Sequence, residues 1–271
     1  MSLPNILVHI HKETGGQAMS LAAHVSRLLD ASTTALVVRP TAESVAAADA
    51  MAPVATTQIV LANDEADAEA ALKIAQNELA DWRGVGEATL VAETGEVTET
   101  VAKHARVHGL TVIGAKEDGV EDVAGLEACL FGSGRPVLVA PPKAPDRIGE
   151  RIAILWNDSP ESANAVWAAF PLLAHADAVT AFAVDGALDA HAALARLQKS
   201  MHRAGVSIDA RALPEADDST EERLLRAVKA FKADLIVMGA YGHSQLRELL
   251  FGGVTKTMLD NTDRPTVFMA H

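Results

Sequence analysis

The chain has 271 residues, room for one large domain or two of common size, and 49% of them are apolar, which excludes an intrinsically disordered class. Its 36 acidic against 23 basic side chains leave a formal charge of -13, which argues against a nucleic-acid or anionic-membrane partner. Cys129 is the single cysteine, so an intrachain disulfide is excluded and a cysteine-built metal site is not expected.

That cysteine usage suits a reducing compartment. The opening MSLPNILVHIHKE lacks the basic and long apolar regions of a secretory signal. No apolar run approaches the roughly eighteen residues of a membrane span. A soluble, cytoplasmic protein is therefore expected.

In chain order, residues 6–38 show an apolar strand-like run (ILVHI), a polar turn, a helical pattern and a second apolar run (ALVV). Residues 152–184 repeat this plan without a gap, from IAILW to AFAV. GLTVIGAKEDG (109–119) then parallels ADLIVMGAYGH (233–243), and LFGSGRPVLVAP (130–141) parallels the closing RPTVFMAH. The chain reads as a tandem duplication with its seam in PPKAPDRIGE, giving domains at 1–143 and 148–271.

Each half reads β-α-β-α-β-α-β-α-β. In the second half the strands are predicted at 152–156, 179–184, 207–213, 235–238 and 266–270. Helices are predicted at 162–173, 187–204, 220–231 and 254–260. Near-continuous apolar runs such as AILW and LIVM suit parallel strands covered on both faces. The fold class is α/β: two tandem Rossmann-like domains, each an open, mainly parallel five-stranded sheet with helices on both sides. The first half carries an insertion, placed around residues 41–58, and a shorter glycine loop after its fourth strand.

The glycine stretch MGAYGHSQLRELLFGGVTKTML (238–259) is the most pointed feature. Gly239 closes a predicted buried strand, Gly242 follows, and nine residues separate Gly242 from the Gly252-Gly253 pair. Glycines at a strand end let a ligand approach the backbone, and the helix opening at Gly253 offers free N–H groups to a phosphate. Thr255 offers a hydroxyl. Spacing alone equally serves a simple helix-to-helix turn.

The stretch resembles the G-x-x-G-(nine residues)-G-[S/T] signature of the universal stress protein family in its ATP-binding branch, and the resemblance extends over both halves as the tandem two-domain type. It implies an adenine-nucleotide sensor or switch in stress response, holding ATP or ADP, with Mg2+ as a further option. Phosphate glycines carry over to Gly239, Gly242 and Gly252, beside Met238, with Val254 and Thr255 in place. Gly253 stands where the family has Ser or Thr. The family's acidic residue after the first strand aligns with Asn157, and Asp158 lies one position along. The backbone that holds adenine maps to Val184. In the first half Gly114 is kept, but the loop is short and Glu117, Asp118, Glu121 and Asp122 crowd negative charge where phosphate would sit. The resemblance thus implies a first half without triphosphate, an intrachain pseudo-dimer through the final strands, and a possible homodimer.

Other candidates keep two readings. His243 reaches a phosphate, acts as acid or base, or lines the loop rim. His9 and His11 alternate on the first strand and face one side; a structural role is favoured over metal binding. His104 and His108 read as a solvated helix face, since the glutamate of an HExxH motif is absent. Trp156 contacts a base or packs at the strand end. Arg247 and Lys256 screen phosphate or lie on exposed helices, and Ser133 lacks a nucleophile elbow. No P-loop and no nucleophile–base–orienter set is found, so no catalytic residue is assigned. The rivals to a nucleotide switch are a stress scaffold or binder of another small ligand, and a slow ATP hydrolase using Asp158 or His243.

Overall fold

The computed structural model describes residues 3–41, 54–82, 86–117, 119–120, 122–143, 147–185, 189–214, 217–240, 253–261 and 263–271. Two compact units divide the chain: Leu3–Lys116 with Val120–Ala144, and Glu117–Gly119 with Pro145–His271.

The first unit runs β1 (Asn5–His9), α1 (Gly15–Leu29), β2 (Ser32–Arg39), α2 (Val54–Ala80), β3 (Ala88–Thr94), α3 (Val97–Ala105), β4 (Leu110–Ile113), α4 (Val123–Glu127), a π-helical turn (Ala128–Ser133) and β5 (Val137–Val139). Its strands pair in parallel in the order β3-β2-β1-β4-β5, with Leu7 level with Thr34 on one side and Thr111 on the other.

The second unit runs β6 (Arg151–Leu155), α5 (Pro160–Ala168), α6 (Phe170–Leu173), β7 (Ala178–Val184), α7 (Ala190–Arg203), β8 (Asp209–Leu213), α8 (Thr220–Phe231), β9 (Leu235–Gly239), α9 (Gly253–Asp260) and β10 (Thr266–Ala270). Its parallel order, β8-β7-β6-β9-β10, repeats that of the first unit strand for strand.

Burial follows the sequence pattern. Ile6–Val8, Leu110–Ile113, Ile152–Leu155 and Leu235–Met238 are buried along their whole length, as strands covered on both faces must be. The outer strands differ: in β8 Asp209, Ala210 and Arg211 are exposed, and in β3 half-buried and exposed positions mix. Helix ends are fixed by local chemistry. Ser159 and Ser219 open α5 and α8 with reciprocal capping boxes, Glu96 accepts from the N–H groups of Thr98 and Glu99 to open α3, and Asp189 caps α7 through Ala192 N–H.

The insertion of the first half differs from its predicted place in part. It includes α2, which is 27 residues long against 14 for α7 at the matching point of the second unit. Residues 42–53 lie outside the described residues. Ala68, Ala71 and Ala75 line one side of α2 and are buried, so small side chains bring this helix close to its neighbours α1 and β2. The 162–173 helix is broken into α5 and α6, with Pro171 just inside the second piece.

One contact recurs in both units. A Cβ placed on Gly239 would lie 2.5 Å from Ser162 N and 2.7 Å from the carbonyl carbon of Glu161. A Cβ on Gly114 would overlap the backbone oxygen of Thr14 at the start of α1. In each case the first helix of the unit seats its amino-terminal turn directly on the end of the fourth strand. Gly114→Ala and Gly239→Ala are each expected to cost about 1–3 kcal/mol, because the obstructing atoms belong to backbone. Urea unfolding without any ligand checks this; an unchanged midpoint would show that the helix turn yields.

Candidate functional site

A strand order of 3-2-1-4-5 reverses direction between the first and fourth strands, and the crevice of such a sheet opens beyond their carboxyl ends. In the second unit that places the candidate site after β6 and β9, where Trp156, Asn157 and Asp158 leave one strand and Met238, Gly239 and Ala240 leave the other.

Asn157 is exposed and turns back on its own loop, its Oδ1 accepting from Ser159 N–H at 3.3 Å. Asp158 adopts a left-handed backbone with φ of 60°. Its carboxylate is bound by Arg196 from α7 at 2.6 Å, with both side chains partly open to solvent. The Asp158 carboxylate is therefore already engaged by a cation. Trp156 is buried, and its indole nitrogen has no hydrogen-bond partner among the described residues. Val184 ends β7, half-buried, and Asp185 beyond it accepts from Ala190 N–H. Met238 is buried while Gly239 is half-buried.

On the far side, Gly253 opens α9 and is exposed, Val254 is half-buried and Thr255 is buried. A Cβ on Gly253 would collide with the Glu221 carboxylate of α8. Gly253 thus stands where a side chain would have to push that carboxylate aside. Gly242, His243, Arg247 and Gly252 lie outside the described residues. The structure therefore sets Asn157, Asp158, Val184, Met238 and Gly239 at the ends of three neighbouring strands, and Gly253, Val254 and Thr255 at the opening of α9.

The first unit has the same crevice with other contents. A cavity of about 250 Å3 lies beyond β1 and β2, with His9, Lys12, Asp64, Asp67 and Asp122 among its lining residues. His9 Nδ1 meets Asp122 Oδ2 at 2.5 Å, and both side chains are almost wholly buried. Asp122 also accepts from Gly125 N–H, capping α4. Burial pushes the Asp122 carboxyl up, but the charge and hydrogen bond of His9, then Gly125 N–H, outweigh it and hold the group below its ordinary 3.8. Lys12 bonds Asp67 at 2.5 Å.

These contacts revise two expectations. Asp122 belongs to a buried pair with the first strand, so it does not crowd an open loop; Asp118 and Glu121 lie outside the described residues. His104 and His108 are not a solvated face. His104 bonds Glu93 at 2.7 Å, and His108, beyond the end of α3, is buried with Nδ1 on His104 carbonyl and Nε2 near Thr34 Oγ1. Asp64, Asp67, Arg196 and Glu221 have no mark in the sequence pattern, since the groups that single them out, Lys12, Asp158 and Gly253, lie far from them in the chain.

Residues 214–269 match the model of the Universal stress protein family. A universal stress protein of Archaeoglobus fulgidus DSM 4304 is similar in structure over 99% of this chain and 96% of its own, at 13% identity and a TM-score of 0.74. A Pseudomonas aeruginosa UCBPP-PA14 protein assigned to the same family aligns over 99% and 93%, at 15% identity and a TM-score of 0.60. The cytoplasmic domain of a prokaryotic cation chloride cotransporter also aligns over 98% and 95%, at 13% identity and a TM-score of 0.53. At these identities the likeness establishes the fold, which proteins with different names share. No curated protein matches the sequence. Among the described residues no helix is long and apolar enough to cross a membrane, and no group of three or more His, Cys, Asp or Glu side chains is placed to hold a metal ion.

The buried His9–Asp122 pair makes its own prediction. His9→Ala leaves a buried carboxylate without its cation and is expected to cost about 3–5 kcal/mol at neutral pH, much of it recovered by adding Asp122→Asn. The folded carboxyl is held below 3.8, so its contribution is present above that pH and lost as pH falls through the lower folded value. Asp122→Asn should therefore flatten the acid limb of stability below about pH 4. Urea unfolding across pH, with equal slopes for both proteins, would refute it.

Proposed function

We propose that the chain is a tandem universal stress protein whose second unit holds an adenine nucleotide, ATP or ADP, as a sensor or switch in the cytoplasm. The observation that carries this reading is the family match over 214–269, which spans the glycine stretch and sits on the unit where the strand ends form the crevice. The adenine would lie against the backbone at Val184, the ribose near Asn157 and Asp158, and the phosphates near Gly239 and the opening of α9. Gly242, His243 and Gly252 belong to the same stretch. Mg2+ would arrive with the phosphates. The first unit serves as a partner domain that takes no triphosphate, paired with the second as a pseudo-dimer, and a homodimer of the whole chain extends the same pairing.

A nucleotide that fits both states of a protein equally shifts nothing, so a switch requires a group displaced on binding. Glu221 is that group. Its carboxylate lies against Gly253, and a phosphate brought to the helix opening would meet its charge. The same contact favours a second reading, a scaffold that has given up nucleotide, because an acidic side chain already occupies the position.

Calorimetry with ATP, ADP and AMP at physiological salt separates the two. Binding by the wild type, strengthened about three- to tenfold by Glu221→Gln and by Gly253→Ser, is expected, since one substitution removes a repelling charge and the other supplies a hydroxyl donor. No heat from any of the three proteins at millimolar nucleotide would overturn the nucleotide reading and leave the scaffold.

A further inference from the structure

We infer that the first unit carries a ligand site of its own: the cleft beyond β1 and β2 takes a small organic amine, a protonated nitrogen on an apolar body. The inference stands apart from the nucleotide reading, which concerns the other unit. It rests on a cavity whose walls and charges are both on view.

The cavity holds about 250 Å3, just below the usual range for drug-sized ligands, which leaves room for a smaller one. Its apolar wall is made by Ile10, Val38, Ala71 and Val97. Its titratable groups are three carboxylates, Asp64, Asp67 and Asp122, against Lys12, His9 and His11. Two of the carboxylates have partners of opposite type: Asp122 is bonded by His9, and Asp67 by Lys12. Asp64, three residues before Asp67 on α2, has no ion-pair partner among the described residues and feels the repulsion of Asp67. Burial, then Asp67, raises its carboxyl above the ordinary value, and Lys12 opposes this with a smaller effect. Among the described residues, the polar side of the cleft sets three carboxylates against one lysine and two histidines, one of them bonded to Asp122.

Each ligand class meets this wall differently. A phosphate would face three carboxylates. A purely apolar ligand would strip water from Asp64 and return nothing. A protonated amine replaces that water with a charge-assisted hydrogen bond and relieves the repulsion between Asp64 and Asp67. Its apolar body covers Ile10 and Val97. The volume suits a single ring or short branched chain beside the nitrogen.

Ligand-observed NMR titration with phenethylamine, 2-phenylethanol and phenylacetate tests this on the full chain, because the three probes share a body and differ in the end group. The amine is expected to bind about tenfold tighter than the alcohol, with the acid weakest. Asp64→Asn should remove that preference while leaving affinity for the alcohol and the urea midpoint unchanged, since Asp64 is only half-buried. Equal binding of amine and alcohol, a preference that survives Asp64→Asn, or displacement of the amine by AMP would each overturn the proposal. So would the absence of any amine binding at millimolar concentration.

Discussion

The seating of a helix turn on the end of a strand decides how both units are built. Without a Cβ at Gly114 or Gly239, the chain that leaves the first strand can fold back so that the following helix opens directly over the fourth. The four strands flanking that contact are buried on both faces, so the helix has no other way to cover them without leaving apolar surface in water. The crevice beyond the strand ends is what remains beside that packed turn. Its position is therefore a by-product of packing, and it exists in both units whatever occupies it.

Chemistry then diverges on a shared frame. In the second unit, the loop after the first strand ends in Asn157 and in Asp158 tied to Arg196, and the opposite helix opens at an exposed glycine. In the first unit the same loop brings His9 onto Asp122, a residue that also caps the helix after the fourth strand. That buried pair ties the first strand to the segment that follows the fourth. The longer α2 then lays Asp64 and Asp67 along the remaining cleft. One crevice is left with backbone donors beside a helix opening, the other with side-chain acceptors. The two linings therefore differ in character on the same frame.

Legibility in the sequence follows the range of the interactions concerned. The strands of the second unit fall within two residues of their predicted ends, because each is announced by its own apolar run. Helices α5 and α8 begin where a serine and its partner three residues on sit side by side in the chain. The break after Ala168 was not foreseen, since apolar periodicity continues through Pro171. The extent of α2 was also missed, because its alanine face has too little contrast to stand out. Contacts such as His9 with Asp122, or Asp158 with Arg196, join residues 113 and 38 positions apart, and no local spacing encodes them. The spacing of the glycines suits a ligand, and Gly239 answers a packing demand as well.

Gly253 shows how the two readings of a glycine meet. In sequence it is a missing hydroxyl, a subtraction from a phosphate site. In the structure its lack of a side chain is what lets the Glu221 carboxylate lie at the opening of α9. A carboxylate near a helix amino terminus is a favourable partner for the partial positive charge there, as a phosphate is. The same helix end cannot serve both at once without a second cation or a moved side chain. A serine at this position would add one donor but force the acid away; glycine keeps the acid and lets the opening be satisfied in the absence of ligand. Any external anion at this opening would compete with an internal one, and the residue that looks like a loss is the one that sets the terms.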